Sequence, residues 1–138
     1  MNSEHALEAA RASLAGSLPF PDIVRNLIAA GVEYYHVDYT LLQFTFYGAD
    51  SASVVAPLTF EGLPAVATEF DGAALRQAIR DSQQKGQTYR EFSQRAVRAG
   101  VQGYFTFLRG QRVTYLGRQG DHHIEWFPGA GPKADFRA

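Results

Sequence analysis

The stretch "GVEYYHVDYTLLQFTFYG" (residues 31–48) returns, altered, as "GVQGYFTFLRGQRVTYLG" (residues 100–117). A constant offset of 69 carries Ala30, Gly31, Val32, Tyr35, Thr45 and Gly48 onto Ala99, Gly100, Val101, Tyr104, Thr114 and Gly117. It also pairs Phe20 with Tyr89, Ile28 with Val97, Phe46 with Tyr115 and Val55 with Ile124, with no insertion. Self-similarity at a fixed period sets architecture before any other signal does. The offset is half of the 138 residues, so the chain reads as an internal duplication with units of about 1–69 and 70–138 in one domain, 1–138.

Each unit reads as two helices followed by three strands. Leu7, Ala10 and Leu14 have helical spacing in "SEHALEAARASLAG", as do Leu75, Ala78 and Ile79 in "DGAALRQAIRDSQQKG". Asp71 suits an N-cap, and Gly16 and Gly86 suit helix stops. Second helices follow in "FPDIVRNLIAAG" and "TYREFSQRAVRAG", where Thr88 and Glu91 have the spacing of a capping box. Runs of β-branched and aromatic residues then predict strands at 32–39, 42–47 and 53–59, and at 101–108, 112–116 and 122–127. The expected class is α+β: two α-α-β-β-β units, antiparallel strands packed with helices around a shared core. The segment 129–138, "GAGPKADFRA", reads as a poorly ordered tail.

With no cysteine, this chain has neither a disulfide, a thiolate metal site nor a cysteine nucleophile. The first twenty residues lack the basic leader and apolar run of a secretory signal, and no stretch nears the roughly 18 apolar residues of a membrane span. A cytoplasmic setting without membrane contact is expected. Net charge is −1, but residues 1–69 sum to −6 and residues 70–138 to +5. Two halves that attract one another, within or between chains, account for this better than nucleic acid, which a near-neutral chain attracts poorly. The spacings GxGxxG and GxxxxGK[ST] are missing, so the glycines read as turn and helix-stop residues.

The segments "FPDIVRNLIAAGVEYYHVDY…FTFYGAD" and "YREFSQRAVRAGVQGYFTF…RVTYLGRQGDHHIEWFP" resemble the two halves of the YbcV-like bacterial proteins, a domain-of-unknown-function family often labelled "phage envelope protein". The resemblance covers roughly residues 18–128. It implies a small α+β bacterial protein and supplies no catalytic residues. In that family Ser93 stands where relatives often carry cysteine.

Two polar groupings are candidates for chemistry. His36 and Asp38 lie two apart in a strand and share a face, the minimum for general acid–base work. In "DHHIEW" (121–126) the alternation puts His123 and Glu125 together as potential metal ligands, with His36 or Asp38 as the only attractive further donors. The competing reading of "DHHIEW" is a turn aspartate and a surface strand with its apolar side inward. His36 and Asp38 are replaced by Phe105 and Phe107 in the second unit. The favoured expectation is a non-catalytic module that binds a ligand or protein partner or self-associates through Phe105, Phe107, Arg109 and Arg112, with no cofactor. The alternative is a metal-assisted enzyme in which a divalent ion is held by His36, Asp38, His123 and Glu125.

Overall fold

The computed structural model describes residues 1–132. The first unit consists of α1 (Ser3–Ala15), α2 (Phe20–Ala29), β1 (Val32–Asp38), β2 (Gln43–Gly48) and β3 (Ser53–Pro57). The second consists of α3 (Gly72–Gln84), α4 (Tyr89–Arg98), β4 (Val101–Phe107), β5 (Arg112–Gly117) and β6 (His122–Trp126). Every element of the second unit begins and ends 69 residues after its counterpart. The likeness extends to irregularities: β1 is bulged between Val32 and Tyr34, and β4 between Val101 and Gly103.

The caps follow local chemistry. Asn2 and Asp71 accept hydrogen bonds from the His5 and Ala74 amides, and Gly16 closes α1 at φ +66°. Thr88 and Glu91 form the reciprocal capping box of α4. The strands are one or two residues shorter than expected at several ends. Tyr39 leaves β1 because the Asp38 carboxylate captures the Thr40 and Leu41 amides, each at 2.8 Å, and turns the chain.

All six strands form one antiparallel sheet in the order β3-β2-β1-β4-β5-β6. The units meet at β1 and β4, where His36 pairs with Phe105, its own counterpart at offset 69. An approximate two-fold axis therefore passes through that pair, perpendicular to the sheet. The helices cover one face only. Beneath them lie Tyr35, Val37, Phe44, Phe46, Val101, Tyr104, Val113 and Tyr115, all buried. Ala6, Ala9 and Ala10 let α1 lie close on β3, whereas Leu75 and Ile79 occupy the matching places on α3. No helix among the described residues is long and apolar enough to cross a membrane. The expected tail lies outside the described residues from residue 133 onward.

Candidate functional site

The uncovered face of the sheet is built by strand alternation: residues whose neighbours pack under the helices point the other way. Cross-strand pairing orders it into three rows. The first runs Ser53, Tyr47, Tyr34, Phe107, Arg112, Trp126 from β3 to β6. The central row runs Val55, Thr45, His36, Phe105, Thr114, Ile124, and the third runs Pro57, Gln43, Asp38, Gly103, Leu116, His122.

Aromatic contacts link the first and central rows. Tyr34 stacks on Tyr47 at 4.6 Å and on Phe107 at 5.8 Å, and Phe107 on Phe105 at 5.9 Å. The Arg112 guanidinium lies 4.5 Å from the centre of the Trp126 ring. These side chains are half-buried, while Val55 and Ile124 are 53% and 42% exposed. A shallow depression of about 510 Å³ lies at this end, between Tyr34, Phe107, Arg109, Arg112 and Ile124. Arg109 projects at its rim, 82% exposed and 3.8 Å from Glu33, an ion pair that solvent screens almost fully.

His36 occupies the centre of the face as an aromatic rather than as half of an acid–base dyad. Its ring packs on Phe105 at 4.4 Å, and Nε2 sits over Gly103, whose missing Cβ would come within 3.2 Å of it. Asp38 is engaged elsewhere: besides the two turn amides, its Oδ1 accepts a hydrogen bond from Gln102 Nε2 at 3.0 Å. Burial holds the His36 pKa below its ordinary 6.5, against a smaller opposing pull from the Asp38 charge. The sign of the pH effect follows. As pH falls through about 6.5 the unfolded chain takes up a proton that the folded protein resists, so stability is lost from there down to the folded-state pKa. His36→Phe, which installs the residue found at position 105, should shrink the difference between melting temperatures at about pH 7.5 and about pH 5 relative to the parent. An unchanged difference would mean that the imidazole is freely solvated.

His123 and Glu125 lie on the other face. Their partners in β5 are Tyr115 and Val113, both buried under the helices. His123 Nε2 and Glu125 Oε1 are 3.0 Å apart, with side chains 19% and 34% exposed. This corrects two expectations. The His36, Asp38, His123 and Glu125 cluster does not form, because the pairs point to opposite faces and two strands separate β1 from β6. The apolar side of "DHHIEW" does not point inward: Ile124 and Trp126 face outward, and the His–Glu pair faces the helices. Among the described residues no group of three or more histidine, cysteine, aspartate or glutamate side chains could hold a metal ion.

The placement of His123 and Glu125 belongs to a wider difference between the units. Val54 and Ala56 are their counterparts. Likewise Val24, Val37, Phe20 and Phe46 of the first unit become Ser93, Thr106, Tyr89 and Tyr115 in the second. The core beneath α4 is consequently lined with hydroxyls. Tyr39 bonds the buried Ser93 at 2.9 Å, and the Tyr89 and Tyr104 hydroxyls bond one another. Thr106 Oγ1 is buried without a hydrogen bond of normal geometry, although the Tyr35 hydroxyl is near it. Burial pushes the Tyr39 phenol up to about 12 and raises those of Tyr35, Tyr89, Tyr104 and Tyr115, so all five remain neutral near pH 7. The offset of 69 exposes these substitutions in the sequence, yet only strand order shows that they share one space. The Tyr34–Tyr47 stack and the Arg112–Trp126 contact were hidden for the same reason.

Fold and face together define a class: a two-unit α+β protein with four helices on one side of a six-stranded antiparallel sheet and an aromatic, helix-free face on the other. Residues 16–125 match the family described as "Protein of unknown function (DUF1398)", and the chain belongs to that family. No curated protein matches the chain.

Proposed function

We propose that the protein is a non-catalytic binding or self-association module that works through the open face of its sheet. The observation that carries this reading is the continuous row Tyr47, Tyr34, Phe107, Arg112 and Trp126, left uncovered by all four helices. Aromatic residues and arginine are the side chains enriched at the centres of protein contacts. The metal-assisted alternative loses its geometric basis with its four donors on opposite faces. Kinship with the YbcV-like proteins and a cytoplasmic setting belong to the same proposal. The first is supported by the paired segments quoted above, the second by composition; the label "phage envelope" adds no chemistry to either.

Photo-crosslinking tests the reading. Benzoylphenylalanine placed at Phe107 should yield covalent adducts in producing cells, whereas the same residue at Gln83, exposed on α3, should not. Equal yields, or none at either position, would overturn the assignment of the open face.

A further inference from the structure

We infer that the occupant of the open face is the open face of a second copy of this chain, related by a two-fold axis lying in the face along the row from Val55 through His36 and Phe105 to Ile124. The inference rests on the binding reading above and adds its partner.

The argument comes from the molecule's own approximate symmetry. The axis through the His36–Phe105 pair exchanges the first and third rows, so the two ends of the face are counterparts at offset 69. They have become opposites. Tyr34 corresponds to Gly103, Phe107 to Asp38, Arg112 to Gln43 and Trp126 to Pro57. One end is bulky, aromatic and cationic, with Arg109 beside it. The other is short or polar, with an anionic centre at Asp38. A two-fold axis along the central row sets the first end on the partner's third row, strand for strand. Phe107 then lies over the partner's Gly103 and the His36 ring packed on it, and the Tyr34 hydroxyl lies over the partner's Asp38 carboxylate. Along the axis Val55, Phe105 and Ile124 meet their own copies, which covers the two most exposed apolar side chains of the face. Such an interface is isologous and closes at two chains.

The area is sufficient. Five spacings of ~4.8 Å and four residues of ~3.4 Å, with side-chain margins, give a footprint of roughly 30 by 20 Å, or about 600 Å² per copy. Both copies together bury about 1,200 Å², the lower bound of stable interfaces, so the dimer should dissociate on dilution.

Sedimentation velocity over a dilution series tests this. The parent should run at twice 15.2 kDa at high micromolar concentration and revert to a monomer when dilute. Phe107→Asp, which sets a carboxylate near the partner's Asp38, should raise the dissociation constant roughly tenfold or more. If that variant is poorly folded, Thr114→Cys gives an independent reading in a chain with no other thiol. Position 114 meets itself on the axis and should form a disulfide-linked dimer under mild oxidation, while Gln83→Cys should not. A parent that stays monomeric at every concentration overturns the inference, as does a dimer in which Thr114→Cys fails to link. Crosslinks from position 107 to another molecule, with the parent monomeric, would leave the binding reading standing and remove only the self-association.

Discussion

Gly100→Ala should cost about 3–5 kcal/mol, a third or more of the stability of an ordinary domain. Gly100 stands at φ +90°, where an L side chain is strained by roughly 1–2 kcal/mol before it meets any neighbour. Here it meets backbone: a Cβ would collide with the Glu69 carbonyl oxygen and come within 2.9 Å of the Phe70 Cα. That segment cannot swing aside freely. The Ala67 amide donates to the Val97 carbonyl at 2.9 Å and the Asp71 amide to the Ala99 carbonyl at 2.7 Å, clamping it against the end of α4. Gly16→Ala is the control, with φ +66° and nothing within 4 Å of the new methyl. It should cost only about 1 kcal/mol. Urea unfolding followed by circular dichroism separates the two, and equal small losses would mean that the 66–71 segment yields.

The second large effect should fall between adjacent residues. Phe46→Ala should lose about 3–5 kcal/mol, because Phe46 is 2% exposed beneath the helices and packs against Tyr35 and Phe44. Tyr47→Ala, one position on, should lose only about 0.5–1.5 kcal/mol, since it gives up a half-buried stack on Tyr34. The comparison belongs at low protein concentration, where association adds nothing to apparent stability. Similar losses at both positions would show that the open face is as well covered as the core, against the reading of an uncovered sheet.

Much of this architecture is legible in the amino-acid sequence. The offset of 69 gave two units of like construction, and the capping box at Thr88, the stop at Gly16 and the alternation along β1 all read directly from local chemistry. What the sequence withheld was register between distant strands. Alternation separates His36 from Val37 and His123 from Ile124, but it cannot say which side of β6 faces the same way as His36. That depends on β1 pairing with β4, a contact between units for which no turn residue is responsible. The four polar candidates could therefore be grouped on paper and still fall on opposite faces.

The seam between β1 and β4 also bears on how the protein folds. Within each unit the helices and hairpins join residues close in the chain, and these can assemble quickly. The sheet becomes continuous only when His36 finds Phe105, a loop closure across 69 residues. Until then β1 is an open edge, and the strand that completes it is equally available on any neighbouring chain. A slow refolding phase that lengthens with protein concentration, through exchange of whole units between molecules, is the kinetic signature this arrangement carries.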